Sequence, residues 1–109
     1  MQNALPNDKG VMRLNKELHG KRVIISVLGE DRVGIIAAVA NVLSENNINI
    51  LDISQTIMQD LFTMILIADL EKSEIDLATL KERLKEIGLS LGIKIDAQHE
   101  DAFRYMHRI

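Results

Sequence analysis

Cysteine is absent from this 109-residue chain, and so is tryptophan. Without cysteine there is no disulfide, no thiolate metal ligand and no sulfur nucleophile. That absence is compatible with a reducing compartment, and we expect a cytoplasmic location. The aromatic residues are Phe62, Phe103 and Tyr105, so the core has to be built from Ile, Leu, Val and Met. No run approaches the ~18 apolar residues of a membrane span. The N-terminus lacks a continuous apolar segment of the secretory type, so neither a membrane nor an export signal is expected. Charge of one sign is also scarce: the net value is −3. Lys9, Arg13, Lys16 and Lys21 outnumber Asp8 and Glu17 by two, which leaves −5 on the remainder. An acidic body with so few aromatics neutralises few phosphates and stacks few bases, so no nucleic-acid partner is expected.

What is present fits one domain with a modest core, at 47% hydrophobic content. Residues 1–20 hold the single proline, Pro6, with Gly10 and Gly20, and read as a mobile leader. Residues 21–109 read as the folded domain. Arg22 to Leu28 is apolar on both sides, as in a strand buried on both faces. A helix follows from about Arg32 to Glu45, with Ile36, Val39, Ala40 and Leu43 as its buried stripe. Asn46-Asn47 ends it, asparagine being second only to glycine for a left-handed helix end.

Ile48 to Gln59 reads as a second strand whose alternation slips, so a β-bulge is expected near Leu51-Asp52. Past the slip, Asp52, Ser54 and Thr56 share a face, which either meets solvent or lines a ligand cleft. After a turn at Gln59-Asp60-Leu61, Phe62 to Ala68 reads as a third strand, apolar on both faces. If helices cover only one face, Ile65 and Ile67 on the other predict burial by a second copy. Ser73 reads as the start of a second helix, with Asp76 completing a variant capping box. Leu77, Leu80, Leu84, Ile87 and Leu91 form its stripe, and Gly92 its end. Ile93 to Gln98 alternates as a fourth strand. His99 to Ile109 reads as a C-terminal helix that docks through Phe103 and Met106 with Ala102 and Ile109. His99 and His107 are two turns apart, too far to chelate one ion from a single helix, so no metal is expected.

The chemistry-bearing stretch is Gly29-Glu30-Asp31-Arg32-Val33-Gly34, between the first strand and the first helix. Its glycine spacing lacks the Lys-Ser/Thr of a phosphate-binding loop, because Ile35-Ile36 stand there, so neither a nucleotide nor any other cofactor is expected. A helix N-terminus can still hold a carboxylate on free N–H groups. Asp31 is the expected N-cap, accepting from Val33 or Gly34. Gly34, lacking a Cβ, allows close approach by either a ligand or a packed neighbouring chain. No Ser or His stands in a catalytic motif, so the chain is not read as an enzyme.

The order strand, helix, strand, strand, helix, strand is the ferredoxin-like βαββαβ pattern. It predicts an α+β sandwich with a four-stranded antiparallel sheet, both helices on one face, and an extra C-terminal helix. With that order, Val27 to Ile35 and Asn47 to Gln55 resemble the ACT domain, a regulatory module that senses amino acids. Asp52 to Thr56 and the tail Phe103 to Ile109 are similar to small stand-alone prokaryotic ACT proteins of an uncharacterised family, related to the ACT domains of the glycine cleavage repressor. The resemblance covers residues 22–109. It implies a homodimer or higher homo-oligomer and an amino-acid ligand at the interface. The implied ligand residues are Glu30, Asp31, Arg32, Val33 and Gly34 in the loop, with Asn49, Ile50, Leu51 and Asp52 from the second strand of a neighbour. The expected function is a non-catalytic regulatory module. The alternative is a structural dimerisation or adaptor domain that acts through a protein partner without a metabolite.

Overall fold

A computed structural model describes residues 21–30 and 33–106. Its elements are β1 (Arg22–Glu30), α1 (Ile35–Glu45), β2 (Asn49–Met58), β3 (Leu61–Asp69), α2 (Leu77–Leu91), β4 (Lys94–His99) and α3 (Glu100–Met106). The strands form one antiparallel sheet in the order β2-β3-β1-β4. This is the expected βαββαβ sandwich with its C-terminal helix. The leader lies outside the described residues.

The period-two rule decides what reaches the core. Val23, Ile25 and Val27 of β1 lie opposite Ala68, Leu66 and Met64 of β3, and Phe62 continues that row. All seven are buried in one cluster with Ile35, Val39 and Leu43 of α1 and Leu80 and Leu84 of α2. Both long helices therefore cover one face. On the other face Ile65 and Ile67 are half-buried, while Leu28 and Leu61 are exposed. Ile24 on that side is only 6% exposed, where α3 packs against β1 and β4.

Several local expectations shift. β1 runs through Gly29 and Glu30, which pair with Phe62 and Leu61, so these two residues are strand and not loop. α1 starts at Ile35, and its N-cap is Gly34 at φ 95°, with no side-chain cap. The cap is therefore not Asp31, which lies outside the described residues together with Arg32. A Cβ on Gly34 would meet nothing within 4 Å among the described residues. The glycine serves its left-handed backbone. The later start also turns α1, which buries Ile35 and leaves Ile36 exposed. Both isoleucines satisfy the spacing to Val39 and Leu43, so periodicity alone could not choose between them.

α2 starts at Leu77, with Asp76 as its cap and not Ser73. The Thr79 N–H donates to Asp76 Oδ1 at 2.9 Å. Ser73 instead makes a local turn: its Oγ donates to the Ile75 carbonyl and accepts from the Ile75 N–H. The bonds from Thr79 hold the Asp76 carboxyl below its ordinary range. A depressed carboxylate adds stability above its unfolded pKa of 3.8, and loses it as pH falls through the lower folded value. Asp76→Asn should therefore be less stable than the parent at pH 7, and the difference should shrink as the pH falls below ~4, which flattens the acid limb of the stability–pH curve. Denaturant titrations across that range check it.

The helix ends match the expectation. Asn47 sits at φ 59° and Gly92 at φ 71°, both left-handed. Asn46 does more than end a helix. It is buried, donates from Nδ2 to the Val42 carbonyl, and accepts at Oδ1 from Arg83 on α2. The bulge falls where the slip in alternation predicted it, between Ile50 and Asp52, with Leu51 as the extra residue. The hairpin turn is Gln59-Asp60, and Leu61 already belongs to β3.

Candidate functional site

The site residues expected from the sequence fall into two groups. Glu30 ends β1, exposed and opposite Leu61. Val33 and Gly34 are exposed at the entry to α1. Gly34 supplies no capping oxygen and the first turn of α1 holds no acidic side chain. A helix start of this kind leaves N–H groups without an intrahelical acceptor, and favours an anion.

The second group begins β2. Asn49, Leu51 and Asp52 are exposed, while Ile50 packs partly against the core. Asp52 Oδ1 accepts from the neighbouring Ile53 N–H at 2.9 Å, which steadies the strand just after the bulge. Its second oxygen has no recorded partner within the described residues, so the side chain can still accept from a cation.

The two groups do not meet within one chain. Asn49 is level with Asp69 and Arg22, whereas Glu30 is level with Leu61 and Met58. Eight residue steps along β1 separate those levels, about 27 Å. A pocket using both groups therefore needs two copies of the chain. Within one copy an open groove of about 790 Å³ is lined by residues that include Ser44, Asn47, Asn49, Ile50, Asp69 and Lys72. It takes in the start of β2 and none of Glu30, Val33 and Gly34. No group of His, Asp or Glu among the described residues is placed to hold a metal ion. His107 lies outside them.

One polar cluster was missed in the sequence. Glu100, at the start of α3, is 2% exposed. Its Oε2 accepts from Arg22 Nη2 and Arg104 Nη2, each at 3.2 Å. The Glu100–Arg104 spacing of four was readable; the link to Arg22, at the other end of the domain, was not. Docking of α3 also differs from the expected stripe: Phe103 is half-buried, but Ala102 and Met106 are exposed.

A four-stranded antiparallel sheet in the order β2-β3-β1-β4 with both long helices on one face is the ferredoxin-like class of fold. A model of the ACT domain family matches residues 23–89. A UPF0237 protein of Methanocaldococcus jannaschii is 56% identical over 88 residues, covering 81% of this chain and 98% of its own. The solved ACT domain protein from Streptococcus pneumoniae is 34% identical, with a TM-score of 0.66 over 75% of this chain and 92% of that one. A crystal structure of a candidate glycine cleavage system transcriptional repressor shares the fold at 19% identity and a TM-score of 0.63, over 71% of this chain and 44% of that one. The chain belongs to the ACT domain family, among its uncharacterised UPF0237 proteins. No helix among the described residues is long and apolar enough to cross a membrane.

Proposed function

We propose that this protein is a non-catalytic regulatory module that binds an amino acid between two copies of the chain. The observation that carries the reading is the start of α1 at Gly34, which has no side-chain cap among the described residues. A ligand carboxylate fits that position. The ligand's ammonium would be held by Asp52 or the Asn49 side chain of the second copy, with Glu30, Asp31, Arg32 and Val33 around the loop and Ile50 and Leu51 behind. Family membership supports the regulatory role, since ACT domains are small-ligand modules that commonly act as oligomers. Ligand contacts that span two copies would shift the equilibrium between two arrangements of the assembly, and a partner would read that shift.

A thermal-shift screen of the full chain against the proteinogenic amino acids tests this. A true ligand at a hundredfold excess over its Kd adds about 2.7 kcal/mol of stability. In Gly34→Val the shift should vanish. A β-branched residue at φ 95° costs about 1–2 kcal/mol and re-aims the helix start. A flat response to every amino acid, by a folded protein, would sink the reading. The exposed apolar residues of β2 favour a second reading, an assembly or adaptor domain without a metabolite, and that outcome would leave it standing.

A further inference from the structure

One face of the sheet packs on α1 and α2, and the other carries α3 over β1 and β4. Among the described residues nothing lies over the β2–β3 half of that outer face. Its apolar residues are Ile65 and Ile67, half-buried, and Met58 and Leu61, exposed. Opposed residues in an antiparallel ladder face the same side. By that rule Asp52, Asp69, Asp96 and Glu30 share the outer face, against Lys94 as its exposed cation. Arg22 is on the same face but is half-buried and bound to Glu100. A second copy laid face to face would set acid against acid, which is unfavourable.

The first twenty residues have a sequence that suits this face. Val11, Leu14 and Leu18 recur at +3 and +7, as one helical stripe, and Gly20 stands where such a helix would end. Lys9, Arg13, Lys16 and Lys21 outnumber Asp8 and Glu17 by two, so the segment is opposite in sign to the face. Its point of attachment is on the page. The Lys21 carbonyl accepts from the Leu70 N–H at 2.9 Å, one pair beyond Arg22 and Asp69. The chain therefore enters the sheet on a central strand, beside the end of β3. From that level Ile67 and Ile65 lie about 10 and 17 Å along β3. A helix over residues 11–19 is about 13 Å long, and its stripe spans about 10 Å. The reach and the spacing both fit the two isoleucines.

We propose that residues 11–19 pack as a helix across the β2–β3 half of the outer face, with Leu18 over Ile67 and Leu14 over Ile65. The occupant is the chain's own leader and not a second copy. A tether to β1 holds the segment beside its site at an effective concentration of order millimolar, which a second copy does not match in dilute solution. The helix side is already filled by α1 and α2, so the outer face is the apolar surface left within reach. A helix of this length is marginal alone in water, and its order comes from the face it covers. The leader and α3 would then close the outer face from its two halves. Neither the start of α1 nor an amino-acid ligand enters this inference.

The lack of cysteine makes the test clean. In the full chain, Leu14→Cys with Ile65→Cys should close to a disulfide within one molecule under oxidised glutathione, read by intact mass and by the absence of a dimer band on a non-reducing gel. Leu14→Cys with Lys85→Cys, on the exposed side of α2, should stay open. Ile65→Cys alone should react with a thiol reagent about tenfold faster once Leu14→Glu and Leu18→Glu are added, because labelling no longer waits for the cover to open. Both glutamates precede β1, and a retained cooperative melt checks that the domain is still folded. Equally fast labelling with and without the glutamates overturns the cover. Protection that survives the glutamates and grows with protein concentration gives the face to a second copy. A covalent dimer from Leu14→Cys with Ile65→Cys gives it to the leader of a neighbour. Either result overturns the proposal.

Discussion

Glu100→Ala is expected to lower the unfolding free energy by about 3 kcal/mol, and the melting temperature by roughly 15 °C. The carboxylate is buried and offsets two guanidinium groups. Removing it leaves Arg22 three-quarters buried without its acid, and Arg22 Nε already lacks a partner among the described residues. An uncompensated charge in that position costs more than the pair contributed. The two arginines should respond unequally. Arg104 is mostly exposed and sits one turn from Glu100, so Arg104→Ala should cost about 0.5 kcal/mol or less. Arg22→Ala should approach the effect of Glu100→Ala, because it strands the buried acid. Thermal melts of the three variants settle the order. Equal, small losses for all three would mean that α3 is held by apolar contact alone.

Gly88→Val should destabilise by about 2–3 kcal/mol, although valine is a better helix former than glycine. Gly88 is buried in the last turns of α2, facing the start of β4. A Cβ there would stand 2.7 Å from the Ile93 carbonyl oxygen, a backbone atom with no freedom to swing away. The same glycine's carbonyl accepts from the Ile93 N–H at 2.9 Å, so helix and strand are tied where they are closest. The clash and the tie together leave no cheap relaxation. Gly88→Ala separates the two effects: its propensity gain of about 1 kcal/mol offsets part of the clash, so a smaller loss is expected. If Gly88→Ala proves more stable than the parent in denaturant titrations, the α2–β4 junction is looser than this geometry.

Those two residues show where sequence reading stops. The fold was legible because its signals are local. The both-sided apolar run of β1, the slip at Leu51, Gly92 after the α2 stripe and the alternation of β4 each fix an element without reference to any other. Gly88 and Glu100 act through partners brought near by tertiary structure, and neither spacing nor propensity points to Ile93 or Arg22. The misplaced helix starts have a different cause. Asp31 and Ser73 are good capping residues, but each helix begins at a later position that also suits one, Gly34 by backbone and Asp76 by side chain. For the candidate site, the sequence supplied both groups of residues and the resemblance assigned them to neighbouring copies. Their distance apart along β1 could only follow from strand order and register.

The extra residue at Leu51 divides β2 into two jobs. Upstream of it, Ile48 and Ile50 turn inward to their own chain. Downstream, the bulge resets the alternation, so that Ile53 and Ile57 stay on the helix side and Ser54 and Thr56 stay on the other. Substituting Leu51 should matter little to that arrangement, since the side chain is exposed. Deleting it should matter a great deal, because every later residue would change sides at once. The inheritance of this edge thus depends on a residue count more than on residue identity: drift in composition at Leu51 is tolerable, and a lost codon is not.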